Sequence, residues 1–236
     1  MTNILSETAR YRLPLLGYIA YIVCQLYQRT RLAYMPNKKL VRIWLTAFLI
    51  TGSTALVCYG MAQLFGYASF GFAWTLNFLL MAWFTLLVNQ LKPNLDSSFF
   101  LPKPFEMEGK LYRYAGINVY RKLLVWTGWE KITRKGNAIQ ANVASLRTLE
   151  YNSRVSETGH LLIFLIVLTV SLMAVATVRE AKWLWLTNIL FNVYPAFLQR
   201  FNRPRYLRLL RYFKQVTAST EKPGARMHSN DFHLLP

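Results

Sequence analysis

The sequence predicts an all-α protein: a multi-pass membrane helical bundle with four transmembrane helices, an N-terminal interfacial helix and cytosolic amphipathic helices. Three observations carry that expectation. The chain is 54% hydrophobic with a mean hydropathy of +0.21, yet it has a formal net charge of +18. Apolar spans with basic flanks combine those properties naturally, whereas soluble domains do not usually do so. No charged residue lies between Arg42 and Lys92. Finally, the lysines and arginines bracket the apolar runs instead of forming a basic domain of their own, so no nucleic-acid partner is expected. Cys24 and Cys58 lie in apolar segments without metal-ligand spacing, so no disulfide framework, metal or cofactor is expected.

Residues 1–42 form a basic segment. Within it Leu13 to Tyr27 is apolar, contains Pro14 and is flanked by arginines. It is shorter than the roughly 20 residues a straight span needs, which favours an interfacial or re-entrant helix over a short span. Residues 43–91 would extend about 74 Å as one helix, more than twice a hydrocarbon core of ~30 Å, so they must fold back on themselves. Gly66 and Gly71 mark the turn, giving spans near Ile43–Phe65 and Phe72–Leu91.

Residues 92–159 read as a cytosolic central region. Pro93, Pro102 and Pro104 keep its start extended, and Gly109–Thr127 and Asn137–Leu149 have helix-compatible spacing around a loop at Gly128–Gly136. Residues 160–199 form a second transmembrane hairpin, with spans at His160–Val178 and Trp183–Gln199 joined by Arg179, Glu180 and Lys182. Residues 200–214 are a basic amphipathic helix in which Arg205, Arg208, Arg211 and Lys214 recur every three residues. Residues 215–236 read as a disordered tail. The segments before Ile43, from Lys92 to Gly159 and after Gln199 hold 7, 11 and 8 Lys and Arg, while the hairpin tips hold none and two. Positive residues stay inside, so the chain is expected in the cell membrane, the inner membrane where there are two, with both termini cytoplasmic.

The dense polar group next to the bilayer defines the candidate site. Arg154, Glu157 and His160 are spaced by three, along one side of a helix, so that Glu157 can touch His160, fix its tautomer and raise its basicity. His160, with an unperturbed pKa of about 6.5, is then suited to act as general base toward a hydroxyl. The simpler reading is that Glu157 favours the positive end of a helix dipole and His160 is an interfacial side chain. Asn188, Asn192, Pro195 and Gln199 fall on one helical face as a polar stripe, either lining a substrate cleft or bonding between helices. Arg200, Arg203 and Arg205 can grip a phosphate or carboxylate, with Asn202 among them. The alternative is a positive-inside anchor on anionic lipid, favoured for Arg208, Arg211 and Lys214.

No serine nucleophile elbow, Gly-rich nucleotide loop, phosphate-binding loop or His-Glu zinc helix is present. The run NVYPAFLQRFNRPRYLRLLR, Asn192 to Arg211, resembles the C-terminal motif of the glycosyl-4,4'-diaponeurosporenoate acyltransferase family, with Gln199, Arg200, Asn202, Arg203, Pro204 and Arg205 at its core. Phe105, Glu106, Gly109, Lys110 and Gly116 to Lys122 resemble the family's central segment, and Arg154, Glu157 and His160 its Arg-Glu-His cluster. Asn118, Tyr120 and Arg121 depart from the expected Arg, Trp and Lys, and the uncharged hairpin is longer than usual.

The resemblance implies an integral membrane acyltransferase of carotenoid biosynthesis, taking an acyl thioester donor and a lipid-soluble glycosylated acceptor, with membrane lipids around it. On that reading Glu157 orients His160 as the base, Arg200 and Arg203 hold the donor's anionic group, and Asn202 with Asn192 and the other amides positions the acyl carbonyl. The rival reading is a non-catalytic multi-pass membrane protein whose basic cytosolic rim binds anionic lipid or a partner protein. A transporter is less favoured, since the spans carry no ionisable residue away from their ends.

Overall fold

A computed structural model describes residues 37–129, 142–175 and 177–220. The expected interfacial helix at residues 13–27 lies outside them, as do residues 221–236 and most of the loop expected at Gly128–Gly136. Helices α1 (Asn37–Phe65) and α2 (Phe70–Leu91) are followed by 3-10 turns at Ser98–Phe100 and Pro104–Glu106. Short helices α3 (Lys110–Tyr114) and α4 (Ile117–Trp126) precede the long α5 (Val143–Met173). Next come α6 (Lys182–Asn188), a π-helical turn (Ile189–Val193) and α7 (Tyr194–Thr220). The described residues contain no strand, as the periodicity predicts.

Three of these helices are long and apolar enough to cross a membrane: α1, α2 and α5. The fourth expected span, Trp183–Gln199, is helical but is divided among α6, the π turn and the start of α7. Pro195 accounts for the irregularity. A proline nitrogen cannot donate to the carbonyl four residues back, that of Phe191, and a π turn is one way a helix absorbs such a defect.

The chain sorts into two compact units. The first comprises Met1–Lys103 and Arg154–Arg200. Its core is Ala62 from α1, Phe72, Ala73, Leu76 and Leu80 from α2, Ile163 and Val167 from α5, and Leu184 from α6. The α1–α2 turn forms where the glycines place it: Gly66 adopts φ +77°, and the Ser69 hydroxyl caps α2 by accepting from the Phe72 amide at 3.0 Å. Hydroxyls within α1 are satisfied inside the helix, Thr46, Thr51 and Thr54 each donating to the carbonyl four residues back at 2.8 Å. The outer face of α1 leaves Phe48, Leu56 and Leu64 more than 70% exposed, an apolar surface suited to lipid. Gly159 lets α5 approach α2 closely, since a Cβ there would lie 2.5 Å from Phe84 Cε1.

The second unit comprises Pro104–Ser153 and Phe201–Pro236. Tyr112, Ile117, Tyr120, Leu146 and Phe201 are buried within it. The buried Glu106 carboxylate accepts from the Tyr112 hydroxyl at 2.6 Å. The helical stretch expected over Gly109–Thr127 is broken at Gly116, which takes φ +82°, a conformation that glycine alone adopts without strain. Gly109, at φ +65°, also meets the Phe201 ring, where a Cβ would come within 2.7 Å.

Of the helix expected over Asn137–Leu149, residues 137–141 lie outside the described residues; α5 begins at Val143, where the Asn142 side chain caps it by accepting from the Ser145 amide at 2.7 Å. The same helix runs on into the third expected span, making one element of 31 residues, and ends at Met173 instead of Val178. At about 46 Å it exceeds a hydrocarbon core of ~30 Å, so its charged N-terminal turns can stand outside the bilayer. Helix α7 continues to Thr220, into the stretch read as a disordered tail.

Candidate functional site

Within the first unit, α5, α6, the π turn and the beginning of α7 assemble a polar cluster. Arg154, Glu157 and His160 do share one side of α5, but each has its own partner. Arg154 Nη1 donates to Asp96 Oδ1 at 2.8 Å and to the Leu95 carbonyl at 2.9 Å. Glu157, 1% exposed, accepts from Arg200 Nε at 2.5 Å. The Arg200 guanidinium carbon also lies 4.4 Å from the centre of the Phe99 ring. The expected Glu157–His160 pairing is therefore not the one formed. A carboxylate this deeply buried has more to gain from a full opposite charge than from an imidazole.

His160 instead has Asn192 and the main chain of Phe191 as its polar neighbours. Phe191 is the residue to whose carbonyl Pro195, lacking an N–H, cannot donate. The His160 Nδ1 is buried without a hydrogen-bond partner, and so is Asn192 Oδ1.

The amide stripe folds into a buried network. Asn192 Nδ2 donates to Asn77 Oδ1 at 2.6 Å and to Asn188 Oδ1 at 2.8 Å. Asn77 Nδ2 donates to the Ala73 carbonyl at 2.8 Å and to Thr187 Oγ1 at 3.1 Å, and Asn188 Nδ2 donates to the Phe164 carbonyl at 3.1 Å. Because Asn77 and Asn188 spend their NH2 groups elsewhere, the network itself fixes which way Asn192 points. Both Asn192 N–H bonds are committed, so it offers only an acceptor. It is thus unable to donate to the oxygen of an acyl carbonyl, the task expected of it from the sequence.

The residues of the C-terminal motif separate in role. Gln199 and Asn202 are part-exposed. Arg203, 1% exposed, donates through Nη2 to Ser153 Oγ at 3.2 Å within the second unit, a packed position and not an open one for an incoming anion. Arg205 is exposed, with its guanidinium carbon 5.0 Å from the centre of the Phe201 ring. It lines an open cleft of about 340 Å³ in that unit, together with Arg113, Arg121 and Arg208.

Sequence reasoning missed Asn77, Thr187 and the contributions of Arg113 and Arg121. Asn77 did carry a signal: a lone amide midway along an uncharged span is costly unless something satisfies it. Nothing in local spacing, by contrast, links Arg113 and Arg121 to a stretch more than 80 positions later. Among the described residues no group of three or more His, Cys, Asp or Glu side chains is placed to hold a metal ion.

Residues 96–212 match a family model described as glycosyl-4,4'-diaponeurosporenoate acyltransferase. No curated protein and no solved structure matches the chain.

Proposed function

We propose that this chain, which belongs to the glycosyl-4,4'-diaponeurosporenoate acyltransferase family, transfers a fatty acyl group from a thioester to a hydroxyl of a glycosylated, lipid-soluble acceptor, with a carotenoid glycoside as the acceptor class that the family name indicates. The observation that supports a reaction centre of its own is the buried, unpartnered Nδ1 of His160, a residue with the Asn192 amide and the Phe191 main chain as neighbours. An imidazole nitrogen that no protein group engages can, in the tautomer that leaves it unprotonated, take the proton that an acceptor hydroxyl must lose.

On this reading His160 Nδ1 accepts the hydroxyl proton as the hydroxyl oxygen attacks the thioester carbonyl carbon. The tetrahedral intermediate collapses with loss of the C–S bond, and the imidazolium returns the proton to the departing thiolate. Asn192 positions the imidazole and the acceptor hydroxyl through its Oδ1. Glu157 and Arg200 act as positioning residues that hold the middle of α5 against the first turns of α7 beside the base. Gln199 remains a candidate for contacting the acyl carbonyl, since it still has exposed surface.

The proposal includes four spans, the fourth made of α6, the π turn and the start of α7, and places both termini on the cytoplasmic side. Support comes from the excess of Lys and Arg in the segments flanking the spans. It also retains the division into a basic N-terminal segment, two transmembrane hairpins around a cytosolic central region, and a basic C-terminal helix.

The test compares lipid extracts of cells with and without the chain for a mass increase equal to one fatty acyl group on a glycosylated lipid. The increase should appear with the wild-type chain and vanish with His160→Ala, while the variant protein remains inserted. Ester formation by purified His160→Ala would remove this mechanism.

A further inference from the structure

The second unit holds a feature that the reaction centre leaves unexplained. Arg113, Arg121, Arg205 and Arg208 converge on the 340 Å³ cleft around Phe201, and all four side chains are exposed. Arg205 and Arg121 both lie over the Phe201 ring, at 5.0 and 6.0 Å from its centre. One buried ring thus anchors two guanidinium groups beside one opening.

The carboxylate in the lining does not neutralise them. Glu108 is taken by Lys110, whose Nζ lies 2.6 Å from its Oε2. Arg113 donates through Nη2 to the Glu108 main-chain oxygen at 2.6 Å, which orients its guanidinium, and the Glu108 carboxylate attracts it more weakly than it does Lys110. Among the described residues none of the four arginines is in an ion pair. Like charges brought together with only partial compensation raise the energy of the empty cleft, and an anion with several charges lowers it. A guanidinium presents paired donors matched to phosphate oxygens, so four of them around one opening suit a group with more oxygens than one carboxylate has.

We propose that this cleft binds a pyrophosphate group, the chemistry found in an acyl thioester whose carrier thiol is linked to a nucleoside diphosphate. The role of donor rests on the acyl-transfer reading; binding of pyrophosphate does not. The assignment also explains why Arg200 and Arg203 are free of that duty: one is held by Glu157 and the other is packed against Ser153. Phosphate could alternatively arrive as a lipid headgroup, and that source must be separated from the soluble one.

The full chain in phosphatidylcholine nanodiscs is titrated calorimetrically with sodium pyrophosphate, alongside Arg121→Gln/Arg205→Gln, Arg121→Lys/Arg205→Lys and the remote Arg211→Gln. Saturable binding that weakens at least tenfold in the double Gln variant, weakens less in the double Lys variant and is unchanged in Arg211→Gln supports the site. A thermal unfolding midpoint equal to wild type establishes that the variants are folded. Absence of saturable binding, or equal binding by wild type and the double Gln variant, overturns it. So does a result in which only nanodiscs containing phosphatidylglycerol show a difference between these chains, since the ligand is then a headgroup. Pyrophosphate binding without any ester formation from a nucleotide-linked thioester upholds the cleft and refutes the acyl-transfer reading.

Discussion

Arg200 donates through Nε to Glu157 Oε1 at 2.5 Å, with the arginine side chain 13% exposed and the carboxylate 2%. The two are 43 positions apart, on the last turns of the first unit's part of α7 and the first turns of its part of α5. A pair this sheltered stabilises chiefly by what its loss would leave behind. Removing one member takes the nearest counter-charge from a buried group, at a cost of about 3–5 kcal/mol.

Glu157→Ala and Arg200→Ala should therefore each destabilise the protein by about that amount, and the double variant should lose far less than the sum. A double-mutant cycle from denaturant unfolding in micelles measures the difference. Additive losses would show that the two side chains do not depend on each other. Arg200→Lys should also lose most ester formation, because a lysine cannot keep both the Nε contact and the planar face over Phe99. Near-silent behaviour of that variant would instead favour a diffuse basic rim on anionic lipid.

The amide network makes a second expectation. Asn192→Leu removes the donor shared by Asn77 Oδ1 and Asn188 Oδ1. Hydrogen bonds inside membranes average about 0.6 kcal/mol and reach about 1.7, so the variant should lose roughly 1–3 kcal/mol for two. Because Asn192 also neighbours His160, turnover should fall by more than the loss of folded protein explains. Stability from unfolding curves and rate per folded molecule, measured on one preparation, separate these effects. A rate that follows only the folded fraction would assign Asn192 to packing.

Close helix packing supplies a third. At Gly159 a Cβ would sit 2.5 and 2.6 Å from two atoms of the Phe84 ring, so Gly159→Ala forces the helices apart or the ring out of place. Overpacking of this kind costs about 1–3 kcal/mol. Shortening the opposing side chain with Phe84→Leu should recover part of the thermal stability lost by Gly159→Ala, and no recovery would mean that the ring is not the obstacle.

Tyr120 makes a prediction in pH. Burial pushes its phenol from 10.0 up to about 12. A folded pKa raised above the unfolded one contributes stability that is fully present below pH 10 and lost as pH rises toward 12. The unfolding midpoint should fall across that window, and Tyr120→Phe should make the fall shallower. Following phenolate absorbance, the variant should lack one late-titrating group; an unchanged titration would show that Tyr120 ionises with the exposed tyrosines.

The helical class, the turn at Gly66 and the apolar character of α1, α2 and α5 were legible because they follow from local properties: residue polarity, period and the conformational freedom of glycine. The same local properties identified His160, Glu157, Arg200 and Asn192 as residues of interest. They could not say that Glu157 turns to Arg200 rather than to His160, since i, i+3 spacing permits a contact and only the energy of a buried charge selects its partner. Likewise the stripe of amides was visible, but Asn77 joins it from a helix more than 100 positions earlier, and that junction decides that Asn192 can accept but not donate. The arginines at 113 and 121 belong to the cleft because α3 and α4 fold against Phe201, a long-range event with no trace in spacing. Sequence by itself settled which groups must avoid water and which must be near it. The tertiary structure decided which polar group meets which, because burial makes each unmet charge or amide costly enough to select its neighbour.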